Sequence, residues 1–294
     1  MRAATNTAAS TGFEKGSTMD TIRGSCLLGA VLGSAFVLAS APAMAADIYD
    51  GGIKGGYEVP PPPPSDRGIY IKGYVGQANT NVGGISTPII DATPANQVTI
   101  FNSDIKTSPL FGIGLGYKRN HWLRFDGTIE YRGDAAFFAM DRLPNAGLPT
   151  GLQTNEYTAD VKSWLGLASA YWDIVNWCGF TPYIGAGIGF ASITVDGMKD
   201  VNVPANSVFF GASNTTTNFA WALHAGLSYD VSPQFAVDLS YRYADLGNAA
   251  TGVVTAYDAS SSYSQVAIRD ITSNDVMLGF RYKLHRDEPV YAIK

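Results

Sequence analysis

Charged side chains recur at every second position in one stretch of the chain. Between residues 123 and 132, the even positions include Arg124, Asp126, Glu130 and Arg132, and none of the odd positions is charged. Because successive residues of a β-strand point to opposite faces, such a strand has one charged and one apolar face. Charges of both signs on one face predict ion pairs. Their consequences depend on whether that face meets water or an enclosed interior.

The preceding segment has the same period of two, but glycines take the place of most of the charged residues. From residue 110 to residue 118, Phe111, Ile113, Leu115 and Tyr117 alternate with three glycines and Lys118. Six further segments alternate in a similar way, so that we predict eight strands, at 68–77, 110–118, 123–132, 157–172, 181–190, 218–229, 235–243 and 275–283. Long polar connections and short turns follow one another in strict alternation, which is typical of an up-and-down transmembrane barrel.

The polarity of the two faces distinguishes a membrane barrel from a soluble one. A soluble barrel or sandwich buries its bulky apolar side chains, whereas here the bulky face would be too large for a narrow lumen and the small or charged face would fill it. Aromatic residues at the strand ends, Tyr157 and Tyr171 among them, fit two interfacial girdles. The sequence therefore predicts an all-β, eight-stranded antiparallel up-and-down transmembrane β-barrel. A secreted soluble β-sandwich is the alternative.

The charged residues assigned to the lumen form the candidate site. We predict two stacked layers of ion pairs from Lys72, Arg124, Asp126, Glu130, Arg132, Asp160, Lys162, Asp238, Arg242, Asp275 and Arg281. Because an unpaired buried charge is costly, compensated charges predict a plug. A gated ion path through the same layers is the alternative.

The first 67 residues indicate targeting and a spacer. Arg23 precedes the apolar run 26–38, and small residues lead to Ala45 and Ala46, between which we predict signal-peptide cleavage. Met19 is a better start for this signal than Met1. Residues 46–67 contain the run Pro60 to Pro64 and predict an extended periplasmic linker. The barrel is predicted at 68–284 and a periplasmic tail at 285–294.

Other kinds of site are poorly supported. The net charge of −5 offers nothing to nucleic acid. The glycines near Gly112 and Gly185 have period two and open no helix, so they do not predict a dinucleotide loop. Asp196 and Asp200 are too few for a calcium site. We expect no metal, no cofactor and no catalytic residues.

Catalysis would need a nucleophile and a base within hydrogen-bond reach of each other. The serines assigned to the lipid face, Ser163 and Ser169, have no histidine on that face, and His224 is assigned to the lumen. The sequence therefore predicts a protein that is not an enzyme.

Several short motifs resemble one protein family. These are Gly68-Ile-Tyr, Thr181-Pro-Tyr-x-Gly-x-Gly-x-Gly after Trp172-Asp173, and Gly279-Phe-Arg-Tyr-Lys. Over residues 68–284 the chain resembles the small outer-membrane β-barrels of Gram-negative bacteria, the group that includes opacity-type surface antigens. It departs from the family pattern at Asp66, where members commonly have an aromatic residue, and in extending past Tyr282.

The resemblance implies a location and a class of role. We expect an outer-membrane protein with both termini in the periplasm and four long extracellular loops, acting in structure and surface interaction in the manner of an adhesin or antigen. The expected partners are outer-membrane lipid and lipopolysaccharide, the outer-membrane assembly machinery, and host, phage or neighbouring-cell ligands. A narrow gated channel for ions or small solutes is the alternative function.

Overall fold

The computed structural model describes residues 67–284. The predicted signal peptide, its cleavage site at Ala45 and Ala46, almost all of the linker and the tail after Leu284 lie outside the described residues. The strands are β1 (Gly68–Ser86), β2 (Thr99–Ile105), β3 (Ser108–Lys118), β4 (Leu123–Pro144), β5 (Leu152–Asp173), β6 (Phe180–Asn202), β7 (Ser207–Gly211), β8 (Asn214–Asp230), β9 (Phe235–Ala250), β10 (Val254–Ala256), β11 (Ser262–Tyr263) and β12 (Ala267–Lys283). A short helix, α1 (Pro88–Ala92), and the 3₁₀ turn Ala95–Gln97 connect β1 to β2.

Eight of these strands close into a ring. The order is β1, β3, β4, β5, β6, β8, β9 and β12, and β12 pairs with β1 from Tyr70 opposite Lys283 to Ser86 opposite Ala267. All neighbours are antiparallel. The predicted eight-stranded antiparallel barrel is therefore confirmed. No helix among residues 67–284 is long and apolar enough to cross a membrane.

The two ends of the barrel differ. Three short turns, at 119–122, 174–179 and 231–234, lie at one end, which we call the turn end. The four longer connections lie at the opposite end, the loop end. At the loop end the strands run well past the predicted boundaries, and β4, β5 and β6 have 22, 22 and 23 residues. Much of the sequence predicted as loop is thus strand, because Ser, Thr, Asn and Gly on an outer, watery face hide the alternation.

Four short strands add to the barrel at the loop end. β2 pairs with β4 from Thr99 opposite Arg142 to Ile105 opposite Phe137. This pairing lies closer to the loop end than Ser108, the first residue of β3. β7 pairs with the end of β6, β10 pairs with β7, and β11 pairs with β10. We call β7, β10 and β11 the side sheet.

The outer face of the turn-end half is an apolar band. Its exposed side chains include Ile71, Ile113, Leu115, Ile129, Ile188, Leu223, Leu239 and Leu278, each between 38% and 68% accessible. Aromatic side chains border it, with Trp122, Trp172 and Tyr282 towards the turn end and Trp164 and Tyr241 towards the loop end. This arrangement is the outward-facing hydrocarbon layer and aromatic girdles of a transmembrane barrel.

The predicted faces of β5 were wrong. Alternation over residues 157–172 predicts Val161, Leu165, Leu167 and Tyr171 on the lipid face and Asp160, Lys162 and Trp164 in the lumen. The first four are instead buried inside the barrel, as is Tyr157. The outer face of β5 carries Trp164 and, within the apolar band, the small residues Gly166, Ala168 and Ala170. Asp160 and Lys162 also point outwards, so their predicted places in the lumen are corrected. They lie beyond Trp164 towards the loop end, where an outward charge meets water rather than lipid.

Candidate functional site

The ionic layer nearer the turn end contains an ion pair between a lysine and an aspartate, Lys72 and Asp126. Lys72 Nζ lies 3.0 Å from Asp126 Oδ2 and 3.2 Å from the Tyr171 hydroxyl. The hydroxyls of Tyr70 and Tyr171 donate to the same carboxylate over 3.3 Å and 3.2 Å. Both partners are enclosed, so the hydrogen bonds replace the water that each charge loses on burial.

Two arginines complete this lower layer. Arg124 Nε lies 3.0 Å from Asp173 Oδ1, and its guanidinium lies 4.2 Å from the centre of the Tyr183 ring. Arg281 grips Asp238 in a bidentate manner, with distances of 2.7 Å and 3.1 Å. Bidentate arginine pairs are geometrically specific and strong. The first pair thus joins the neighbouring strands β4 and β5, and the second joins the neighbouring strands β9 and β12.

A second layer lies nearer the loop end and consists of one closed network. Arg242 contacts both oxygens of Glu130 at 2.7 Å and 2.8 Å, and its Nε lies 2.8 Å from Asp275 Oδ2. Arg132 lies 2.9 Å from Glu130 and 2.7 Å from the same Asp275 oxygen. Ser273 donates a further hydrogen bond to Asp275. Each of the four charged groups therefore meets two of opposite sign.

Sequence reasoning located most of this site. The structure brings nine of the eleven predicted residues into the lumen, and leaves Asp160 and Lys162 outside. It adds Asp173, which lies one residue beyond the strand predicted at 157–172 and is the last residue of β5. Asp173 lies two residues after Tyr171 and therefore shares its face of the strand. Because Tyr171 had been assigned to the lipid face, this relation did not point to the lumen. Among residues 67–284, the described ion pairs of the lumen join six basic to five acidic side chains, because Lys118 Nζ also lies 4.0 Å from Asp173 Oδ2 at the turn end.

The lumen glycines make room for tyrosine rings. A Cβ atom on Gly112 would lie 2.1 Å from the ring of Tyr74, and one on Gly116 would lie 2.1 Å from the ring of Tyr70. The period-two glycine motif is therefore a packing device, in which a missing side chain on β3 accommodates a large one on β1.

Above the second ionic layer the lumen becomes apolar. The buried side chains there include Ile85, Ile105, Phe137, Leu143, Val161, Leu165, Ile193, Val195, Leu246, Ile268 and Ile271. A cavity between the two ionic layers measures about 10 Å³, and one at the base of the apolar core measures about 20 Å³. Each holds about one water molecule. The lumen is filled in both halves.

A buried polar cluster caps this apolar core at the loop end. The Tyr157 hydroxyl donates to Asp141 over 2.7 Å, and Asn155 donates to the same carboxylate over 2.8 Å. The Tyr263 hydroxyl of the side sheet donates to Asp200 over 2.9 Å. Burial raises the pKa of Asp141 and, more strongly, that of Asp200, to about 6, although the hydrogen bonds from Asn155 and from the tyrosines oppose the change.

The serines and the histidine that were considered for catalysis lie on one face of the barrel wall. Ser163 and Ser169 had been assigned to the lipid face, but both are buried in the lumen, on the same side of the wall as His224. Within the described residues, Ser169 Oγ and His224 Nε2 are buried and have no hydrogen-bond partner. Within residues 67–284, no three His, Cys, Asp or Glu side chains lie close enough to hold a metal ion.

Comparison with known proteins places the chain in a family. The chain is 31% identical over 206 residues to a protein of Brucella suis, and the matched region covers 63% of this chain and 70% of the relative. It is 27% identical over 233 residues to the outer membrane protein PagN of Salmonella typhimurium, covering 74% and 90%. It is 32% identical over 150 residues to a candidate adhesin of Rickettsia conorii, covering 49% and 57%. The model of the family described as outer membrane protein beta-barrel domain matches residues 33–283, and the chain belongs to that family.

Proposed function

We propose that this protein is a closed outer-membrane barrel whose extracellular end binds the surfaces of host or neighbouring cells. The observation that carries the proposal is the filling of the lumen. Two ionic layers occupy the membrane half, and an apolar core occupies the half beyond it. A barrel that is filled along its length supports a role at its outer surface rather than in transport.

The loop end has the rigidity that recognition requires. Its strands extend beyond the apolar band, and the side sheet is held to β6 by the ladder from Lys199 opposite Phe210 to Asn202 opposite Ser207. Recognition residues are commonly carried on loops that a rigid scaffold positions. The similarity to a candidate adhesin of Rickettsia conorii supports the same role.

The channel alternative is less well supported. An ion path would have to cross both the network around Glu130 and the packed apolar core above it. An eight-stranded barrel has an interior that side chains just fill. We further propose that the protein is not an enzyme, since His224 contacts neither of the lumen serines through a hydrogen bond.

Adhesion of whole cells tests this function. The protein would be displayed in the outer membrane of a non-adherent Gram-negative host, and binding of these cells to epithelial and bacterial surfaces would be counted. Replacing residues 252–266, which include β10 and β11, with a short Gly-Ser linker should remove adhesion. Replacing the turn at 145–151 in the same way is the matched control. Adhesion that survives every loop replacement, together with solute-dependent conductance, would contradict the proposal.

A further inference from the structure

A groove lies on the extracellular surface between the side sheet and the end of β6. Its volume is about 510 Å³, within the range of roughly 300–1,000 Å³ that is typical of small-molecule sites. Its lining includes Lys199, Asn206, Ser207, Phe210, Tyr257 and Asp258. Phe209 also lines the groove and packs against the apolar core of the lumen, so the groove borders that core.

Two aromatic rings in this groove are exposed to water. Tyr257 is 84% accessible and Phe210 is 46% accessible, and their ring centres lie 6.4 Å apart. Both lie far from the apolar band, so lipid does not cover them. Large apolar surface that stays exposed in water commonly marks a binding site.

The backbone around the rings is fixed. The Tyr257 N–H donates to the Val208 carbonyl over 2.9 Å, and Ala212 and Val253 are joined by a further backbone bond of 3.0 Å. Phe210 therefore lies on the paired strand β7, and Tyr257 lies in the turn directly after β10, where its own backbone hydrogen bond to Val208 holds it. A site of this kind loses little conformational freedom when a ligand binds.

The rim of the groove is polar but nearly neutral. Hydroxyl groups of Ser207 and Ser261 and the amide of Asn206 lie along it. Its two charged residues, Lys199 and Asp258, are of opposite sign, and the Asp258 carboxylate already accepts hydrogen bonds from the Ser260 N–H and hydroxyl. The rim thus offers hydrogen bonds without a net charge that would select a polyanion.

A peptide strand is a poorer fit than a sugar. A peptide that adds to a sheet needs a free strand edge. Within the described residues β7 is paired with β6 on one side and with β10 on the other, and the edge strand β11 has only 2 residues. A pyranose ring instead presents an apolar face of C–H groups and a rim of hydroxyls. Exposed aromatic faces beside neutral hydrogen-bonding groups complement both.

From this complementarity we infer that the groove binds a neutral, hexopyranose-based oligosaccharide, with Tyr257 and Phe210 as the stacking surface. The inference rests on the proposed function, because it names the ligand class through which the loop end would act.

Binding to an array of immobilised glycans tests the inference. The full-length protein in lipid nanodiscs would be applied to neutral hexose and N-acetylhexosamine oligosaccharides, with sulfated and carboxylated glycans on the same array. Tyr257→Ala should weaken binding to the neutral glycans by about tenfold or more, as loss of a central aromatic contact commonly does. Tyr257→Trp keeps an aromatic face and should retain binding. Leu152→Ala, which truncates another exposed side chain outside the groove, is the matched control and should not weaken binding.

Three results would overturn the inference. They are binding to none of the glycans, binding only to the polyanionic ones, and neutral binding that Tyr257→Ala leaves unchanged. The cell-adhesion assay separates this failure from that of the proposed function. Adhesion that persists in Tyr257→Ala but disappears with the 252–266 replacement would overturn the groove alone, and adhesion that survives the replacement of every loop would overturn the function as well.

Discussion

At the scale of single residues, the stability of the barrel depends on buried charges that are mutually satisfied. Glu130 accepts hydrogen bonds from both Arg132 and Arg242 at distances of 2.7–2.9 Å. Removing a shared partner of this kind leaves two enclosed guanidinium groups with one carboxylate fewer. The cost of such a change arises mainly from the buried charge that remains.

We therefore expect Glu130→Ala to lower the free energy of unfolding by about 3–5 kcal/mol. Asp160→Ala removes a carboxylate from the outer surface, where none of the described residues forms an ion pair with it, and should change stability by less than about 0.5 kcal/mol. Urea unfolding in detergent micelles would measure both. Equal losses for the two variants would show that the lumen network does not stabilise the barrel.

The carboxyl of Asp200 makes the loop end sensitive to pH. Its pKa is about 6 in the folded protein and 3.8 in the unfolded chain, because burial disfavours the charged form and Asp141 adds like charge, against the hydrogen bond from Tyr263. A raised folded pKa means that the native state binds the proton more tightly. This contribution to stability, at most about 3 kcal/mol, is fully present below about pH 4 and is lost as the pH rises through about 6.

The expected result is that the wild-type protein loses stability relative to Asp200→Asn as the pH rises from 4 to 7. Asp141, Tyr157 and Tyr263 face the same cluster and are unchanged in both proteins, so the difference isolates Asp200. Urea midpoints at several pH values would measure it. Parallel curves for the two proteins would contradict this role.

At the scale of elements, the pairing of β1 with β3 depends on the lumen glycines. Gly116→Ala should destabilise the barrel by about 1–3 kcal/mol, because its Cβ would meet the ring of Tyr70. Gly127→Ala is the matched control, since a Cβ there faces outwards and meets no atom within 4 Å. The temperature at which the folded gel band converts to the unfolded band would compare them. A lower temperature for Gly127→Ala than for Gly116→Ala would contradict the packing role.

The same comparison of elements shows how far the sequence could lead. The faces of the strand containing Arg124 and Glu130 were predicted correctly, because that strand has apolar residues towards lipid and charges towards the lumen. The two faces of β5 could not be told apart by polarity, because its outer face passes from lipid in the membrane to water beyond it. Inside the membrane its outer residues are small, and beyond it Asp160 faces water while Val161 enters an apolar core.

The predicted strand lengths were too short for a related reason. The predicted alternation stopped where polar residues began, although β6 continues to Asn202 and β9 to Ala250. Beyond the membrane a strand is polar outside and apolar inside, which is the reverse of its membrane portion. A prediction that requires the same face to be apolar along the whole strand therefore stops where the strand leaves the membrane, not where the strand ends.

At the scale of the whole molecule, the barrel combines two kinds of interior in one continuous sheet. The membrane half has an apolar exterior and an ionic lumen, and the extracellular half has a polar exterior and an apolar core. Each half thus presents to its surroundings the chemistry that those surroundings favour. The two fillings lie one after the other along the lumen, so we expect that loss of one does not open it.

Recordings from single proteins in a planar lipid bilayer test this closed state most directly. The wild-type protein should give no current steps, and folded Glu130→Ala should also stay silent, because the apolar core around Phe137 and Ile193 remains above the altered layer. Current steps from the wild-type protein would contradict the closed barrel and favour a channel.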